Sequence, residues 1–253
     1  MTTMSGMQIE RSANSWARLF LALQCAMTCG IVQAGSYGIN PVKLTLSGQN
    51  STQIMTVRND GTEAAVVQVE LAAWSQANGQ DVYTPTRELL ATPPIFTVPA
   101  GASQIIRVGL RRAPDGQREL AYRMFLQEVP PPAKVDFVGL QVALRISVPV
   151  FVAPPHPVKP VLHWQAIRID EHTIKVGVTN TGNVHDHLSA YKIYQSGNAK
   201  PFLTQQLFAY LLPGETHYWS IATDVMPNSG EHLSVLANTE MGEVNSDIVM
   251  DKP

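Results

Sequence analysis

Val138-Gly-Leu-Gln-Val-Ala-Leu-Arg-Ile-Ser-Val148 puts Val138, Leu140, Val142, Leu144, Ile146 and Val148 on every second position. Side chains two apart on a strand share a face, so the spacing predicts one long strand with an aliphatic edge. Its other face, Gly139, Gln141, Ala143, Arg145 and Ser147, is small or polar apart from the arginine. A strand covering the core of any β-sandwich alternates in this way, so its surroundings decide what it is for.

Upstream, short alternating runs are broken by turn residues, with hardly a helical period anywhere. The pattern predicts strands over Tyr37 to Leu46, Gln53 to Arg58, Ala65 to Trp74 (Val67, Val69 and Leu71 on one face), Ser103 to Leu110 and Leu120 to Glu128. Asn59-Asp60-Gly61 has hairpin-turn composition, and Ser75 to Asp81 reads as a polar turn. The paired prolines of Ala91-Thr-Pro-Pro-Ile-Phe96 suit an edge strand or a loop. Strands at roughly 8 to 12 residue spacing indicate an immunoglobulin-type sandwich. Downstream, Ala153-Pro-Pro-His-Pro-Val-Lys-Pro160 carries four prolines in eight positions, which cannot enter a sheet interior and favour a stiff, extended connection. A second β region follows, with runs at Leu162 to Asp170, Thr173 to Asn180, Asn183 to Tyr194, Lys200 to Leu212, Glu215 to Ile221 and His232 to Val249. The expected fold is all-β: two immunoglobulin-like β-sandwich domains, at 35–153 and 161–253, joined by a proline-rich linker at 154–160.

Residues 1–34 read as a signal peptide. Arg11 and Arg18 precede an apolar run from Leu19 to Val32, and Val32-Gln-Ala34 before Gly35 suits cleavage. The run is too short for a stable span, so export without membrane insertion is expected. Both cysteines, Cys25 and Cys29, lie in this leader, which leaves the mature chain without disulfide or thiol chemistry. Its stability then rests on the buried core that a chain of about 220 residues can supply. Removing Glu10, Arg11 and Arg18 from the 18 basic and 20 acidic residues leaves 16 and 19, a net of −3. That balance argues against a nucleic-acid partner.

In their order and spacing, Asn59-Asp60, Val67 to Trp74, Pro85-Thr-Arg87, Ala91 to Phe96, Gly101 to Arg107, Tyr122-Arg123 through Gln127-Glu128-Val-Pro130, Leu140 to Leu144, the proline linker and Asn180-Thr-Gly-Asn183 resemble the periplasmic pilus (fimbrial) chaperones of the chaperone-usher pathway. The better-known branch carries a lysine where this chain has Pro149 and an arginine where it has Lys43. Arg145 to Pro149 and Tyr122-Arg123 look instead like the archaic, or alternative, branch. The resemblance implies a boomerang of two sandwiches and a non-enzymatic, cofactor-free periplasmic chaperone. Its partners would be pilus subunits, which are immunoglobulin-like sandwiches lacking a final strand, and an outer-membrane usher; no small-molecule substrate is implied. An open subunit edge is an aggregation hazard, and chaperone-pilin donor-strand complementation is itself an established instance of β-strand addition. Val138, Leu140, Val142, Leu144 and Ile146 are the expected donor residues. Burying four or five such side chains at roughly 1.5 to 3 kcal/mol each supplies on the order of 10 kcal/mol before ordering costs. The resemblance also implies basic residues that fix the subunit's C-terminal carboxylate and so set the register. Arg123 is the first candidate, followed by Lys159 and Lys43; for Arg123 the alternative is an internal ion pair with Glu128 or another acid.

Other constellations are weaker. His185-Asp-His187 places two imidazoles on one strand face, but no third ligand is identifiable, and a solvated turn leading into a strand is the plainer reading; no metal is assigned. Asp115, Glu119, Asp170 and Glu171 read as surface charge. No nucleophile elbow, phosphate loop or dinucleotide fingerprint is present, so no catalytic residue is assigned. An exported adhesive or carbohydrate-binding double sandwich, with its function in loops or at Trp74, Trp164 and Trp219, remains the competing class, and a periplasmic metal-binding sandwich a third.

Overall fold

A computed structural model describes residues 36–131, 142–157 and 159–251. Its regular structure is all strand, and Ser36–Pro253 forms one compact unit. The first ten strands are β1 (Tyr37–Asn40), β2 (Leu44–Leu46), β3 (Thr52–Asn59), β4 (Ala65–Ala77), β5 (Gln80–Pro85), β6 (Leu89–Thr92), β7 (Ile95–Val98), β8 (Ser103–Leu110), β9 (Leu120–Val129) and β10 (Arg145–Val152). They make two sheets, ordered β1-β3-β8-β6 and β2-β10-β9-β4-β5, with β7 also paired to β4. Between the sheets lies a core of Leu44, Leu46, Met55, Val57, Val67, Ile106, Val108, Tyr122, Met124, Leu126, Val148, Val150 and Val152. Each such side chain contributes about 1.5–3 kcal/mol when fully buried.

The second half comprises β11 (Leu162–Arg168), β12 (Thr173–Asn180), β13 (Asp186–Gln195), β14 (Leu203–Leu211), β15 (Thr216–Ala222), β16 (His232–Thr239) and β17 (Gly242–Asp251), ordered β14-β13-β16-β17-β11-β12-β15. β17 belongs to both faces of this second immunoglobulin-like sandwich. Its first eight residues pair antiparallel with β16, and Met250 and Asp251 then pair in parallel with β11. The core contains Trp164, Ile174, Val176, Val178, Tyr191, Ile193 and Val235.

The two sandwiches share one crossing device. Asn59 at the end of β3 donates through Nδ2 to the carbonyls of Glu63 (2.7 Å) and Val98 (2.9 Å), while Gly61 N–H donates to its Oδ1 at 2.9 Å. Asn180 at the end of β12 does the same with Val184 (2.8 Å), Leu211 (3.0 Å) and Gly182 (3.0 Å). In each half a left-handed glycine, Gly101 or Gly214, also donates its N–H to the carbonyl of that asparagine. Such asparagine turns satisfy the backbone where a strand leaves its sheet.

Five expectations change. Tyr37 to Leu46 is two strands: Pro41 lacks an N–H, and the chain switches there from β3's sheet to a parallel pairing with β10. Asn59-Asp60-Gly61 is no hairpin, because β3 and β4 lie in different sheets and the turn carries the chain across. The polar turn shrinks to Asn78-Gly79, both left-handed (φ 53° and 76°), the geometry of a two-residue hairpin between Ala77 and Gln80. His232 to Val249 is a hairpin turning at Glu240-Met241. The long strand forms as β10 only from Arg145, with Val142 to Leu144 ahead of it unassigned to any strand.

Candidate functional site

β10 is paired unevenly. Along one side it meets β9 throughout, Arg145 opposite Gln127 to Val152 opposite Leu120. On the other side β2 covers only Val150 to Val152. Arg145 to Pro149 therefore present a strand edge with no partner strand among the described residues. The β9 ladder continues one step further, with Glu128 N–H donating to the Leu144 carbonyl at 2.8 Å and Leu144 N–H donating to Glu128 Oε2 at 3.2 Å.

The alternating row runs from core to solvent. Val148 is buried, Ile146 and Leu144 are half-buried, and Val142 is 46 % exposed. Leu144 and Ile146 line a narrow pocket, with a cavity volume of only about 10 Å³, together with Tyr37, Val57, Val67, Leu126 and Glu128. Val138 and Leu140 lie outside the described residues.

Sequence reasoning missed the wall opposite. β1 is the outermost strand of its sheet, and an open groove of about 300 Å³ lies between Tyr37, Ile39 and Val42 on one side and Ile146, Ser147 and Val148 on the other. Two strand edges without a partner strand among the described residues thus flank an apolar groove. Burial and the nearby Glu128 carboxylate push the Tyr37 hydroxyl pKa up to about 12, so it stays protonated at neutral pH. The available signal was Pro41, which splits the Tyr37 to Leu46 run.

Arg123 lies on the other face of the sheet, opposite Pro149 on β10 and Ala72 on β4. It is 8 % exposed, with its guanidinium carbon 3.7 Å from the Trp74 ring centroid and 5.2 Å from that of Tyr210. The alternative pairing with Glu128 fails for a simple reason: residues five apart on a strand point to opposite faces. Among the described residues no carboxylate is within ion-pair distance of Arg123, and its Nε is buried without a partner. Burial would raise the nearby Asp81 carboxyl, but hydrogen bonds, Gln76's foremost, together with the Arg123 charge hold it below the usual range.

The other basic candidates differ. Lys43 forms an ion pair with Glu240 at the tip of the β16–β17 hairpin, and like Arg123 it acts electrostatically on Tyr210. Lys159 is exposed, without an ion pair among the described residues.

His185 and Glu119 correct the sequence reading. Glu119 is a buried acid, not surface charge. Its Oε2 accepts the His185 N–H at 2.8 Å and lies 2.6 Å from His185 Nδ1. His185 stacks on Phe151 at 3.5 Å between centroids, with Glu240 Oε2 3.7 Å from its Nε2. The imidazole ties the first sandwich to the second instead of sitting in a solvated turn. Gln76 reinforces the junction, donating to the Tyr210 carbonyl at 2.8 Å and accepting from Leu212 N–H at 3.1 Å, beside an apolar contact of Trp74, Phe151 and Leu212. Among the described residues no group of three potential metal ligands converges.

Residues 36–157 match the family described as pili and flagellar-assembly chaperone, PapD N-terminal domain. No curated protein matches by sequence. Among solved structures, a chain of the CsuC–CsuE chaperone–tip adhesion subunit pre-assembly complex, from the archaic chaperone-usher Csu pili of Acinetobacter baumannii, is 23% identical at a TM-score of 0.62, covering 85% of this chain and 99% of its own. The YadV chaperone is 18% identical at 0.59, covering 83% and 98%. The Salmonella enterica SafA pilin in complex with the SafB chaperone gives 17% at 0.57, covering 86% and 98%. At these identities the likeness is one of fold.

Proposed function

We propose, for a chain whose residues 36–157 match the family of pili and flagellar-assembly chaperones, that it holds pilus subunits by lending them the strand that begins β10. That family is one of non-enzymatic chaperones. The observation that carries the reading is the free edge at Arg145 to Pro149 beside the groove of Tyr37, Ile39 and Val42. An unpaired edge offers main-chain hydrogen bonds to an incomplete sheet, and the row from Leu144 through Val142 to Leu140 and Val138 offers side chains for its empty pockets. Pairing along β1 would extend the same added sheet.

Arg123 is the proposed carboxylate anchor. A buried guanidinium without a counter-ion is costly unless an anion meets it, and a C-terminal carboxylate supplies two acceptors to the guanidinium fork. Lys43, already engaged by Glu240, is the second basic group, and Lys159 the third. Anchoring the terminus sets which residues enter the groove, because a slip of one residue would turn every apolar side chain outward. Lys43 and Pro149, with the Csu likeness, support the archaic branch. The protein would work in the periplasm without cofactor, keep subunits unpolymerised and pass them to an outer-membrane usher, release following exchange for another subunit's strand.

Co-expression of the exported chain with a pilus subunit encoded beside it tests this. One-to-one co-purification is expected, and Val142→Asp with Leu144→Asp should abolish it while the chaperone stays folded. Arg123→Ala should fold and fail to retain subunit; unchanged recovery would remove Arg123 from the anchor role. A subunit equally stable without this chain would refute the chaperone reading.

A further inference from the structure

The inward row of β9, Tyr122, Met124 and Leu126, ends in an acid. Glu128 takes the next inward position and lines the same narrow pocket as Tyr37, Val57, Val67, Leu126, Leu144 and Ile146. It is half-buried, and among the described residues no ion pair engages it. A carboxylate among aliphatic walls needs donors, and it takes one from the main chain ahead of β10: Leu144 N–H donates to its Oε2 at 3.2 Å. Glu128 N–H in turn donates to the Leu144 carbonyl at 2.8 Å. In a continuing antiparallel ladder the Leu144 N–H would go to the Glu128 carbonyl. That carbonyl accepts the Gln127 side-chain amide instead, at 3.3 Å. The next bonded pair would set Val142 opposite Pro130, which has no N–H to give. A side-chain stop and a proline stop thus follow one another, and inward-pointing charge is one way a sheet edge is kept from extending. Ahead of Leu144, Ala143 and Val142 are exposed and belong to no strand.

We infer that Glu128 is a positioning residue for the lent strand: by taking the Leu144 N–H, its carboxylate ends the chain's own ladder there and fixes where the segment becomes free to enter a partner's sheet. This rests on the strand-donation reading and deepens it. Alternate pairs of an antiparallel ladder exchange their bonds, so Leu144, Ile146 and Val148 direct their main-chain groups to β9, while Arg145 and Ser147 turn theirs to the open side. Holding Leu144 holds that phase, since a shift of one residue would turn Leu144 and Ile146 out of the pocket. Arg123, the proposed carboxylate anchor, pairs with Pro149, five positions beyond Leu144. The acid and the anchor therefore fix the two ends of a stretch of roughly 17 Å.

The test follows amide hydrogen exchange at Leu144, Ile146 and Val148 in the free chain, together with dissociation of its purified complex with a pilus subunit encoded beside it. Glu128→Val suits both a strand and the apolar lining of the pocket. Leu144 exchange should rise on the order of 10-fold, with Ile146 and Val148 within about 2-fold of the parent, and the complex should dissociate on the order of 10-fold faster. Glu128→Ala, read alongside, should give the same result and guards against a valine that misfits. Glu128→Gln keeps an acceptor oxygen and should hold both quantities within about 3-fold. Unchanged Leu144 exchange in the valine and alanine variants, or an equal rise at all three amides, overturns the inference. Faster Leu144 exchange with unchanged dissociation overturns the positioning role and leaves strand donation standing. Failure of the unsubstituted chain to bind the subunit refutes strand donation, and the positioning role falls with it.

Discussion

Gln76→Leu isolates the polar part of the junction. Leucine keeps most of the side-chain volume, so the change leaves apolar packing nearly intact and deletes three hydrogen bonds. Two of them reach the second sandwich: Gln76 Nε2 donates to the Tyr210 carbonyl at 2.8 Å and Oε1 accepts Leu212 N–H at 3.1 Å. Gln76 is itself buried, so both backbone groups would lose their partner away from water. An unsatisfied buried polar group costs about 1–3 kcal/mol, and two of them put the expected loss at about 2–6 kcal/mol. The third bond, to Asp81 Oδ1 at 3.0 Å, ends on a part-buried carboxylate that keeps the Tyr83 hydroxyl as a donor, on a residue exposed overall. Asp81→Asn therefore serves as the control and should cost less than about 1 kcal/mol. Equilibrium urea unfolding, followed by tryptophan fluorescence and far-ultraviolet circular dichroism, reads both. A Gln76→Leu loss below about 0.5 kcal/mol at unchanged m-value would show that these bonds do not couple the sandwiches, and would refute the reasoning.

Asn59→Ala and Asn180→Ala should each cost about 2–3 kcal/mol in urea unfolding, because each removes three hydrogen bonds, of which the one to the Val98 or Leu211 carbonyl is buried and the other two part-buried; a large difference between them would contradict the shared crossing device. A Cβ on Gly182 would sit 2.8 Å from the Lys159 carbonyl oxygen and 2.9 Å from Pro160 Cα, both backbone. Gly182→Ala should therefore displace the linker and cost about 1–3 kcal/mol, seen as a lower Tm and faster proteolysis near Pro160. Burial holds the His187 and His217 imidazoles below the usual histidine range. Between the folded pKa and the unfolded value near 6.5 the unfolded chain binds more protons. Stability should be full above about pH 6.5 and fall as the pH drops below it; urea midpoints from pH 8 to 5.5 should flatten in the His187→Asn/His217→Asn variant, and an unchanged slope would exclude these two residues as its source.

Alternation alone made most strands legible, because side-chain direction along a strand has a two-residue period that survives in the sequence. β3, β8, β9 and β12 lie within two residues of where the pattern put them. Proline was equally readable: four in eight positions between Ala153 and Pro160 mark a stretch that forms no strand among the described residues. The alternating aliphatic row was visible as a pattern, and Arg123 as a cation set one strand away.

Turn composition was less informative than turn context. Asn59-Asp60-Gly61 and Asn78-Gly79 use similar residues, but the first crosses between sheets and the second closes a hairpin, since each outcome depends on which sheet the next strand joins. The same limit applies to charge. Glu119 and His185 are 66 positions apart, and Gln76 and Tyr210 are 134 apart. Read locally, Glu119 is a loop acid and His185 a turn residue; burial of both follows only from the sandwiches meeting at Phe151. By itself, the sequence determined the all-β class, most strand positions, the break between the halves and the aliphatic row. Tertiary structure alone decided that, among the described residues, the edge of β10 at Arg145 to Pro149 has no partner strand, that β1 forms the facing wall of the groove, and that no carboxylate lies within ion-pair distance of the buried Arg123. Periodicity is a property of neighbours along the chain, whereas pairing, burial and counter-charge are properties of surfaces that meet only after folding.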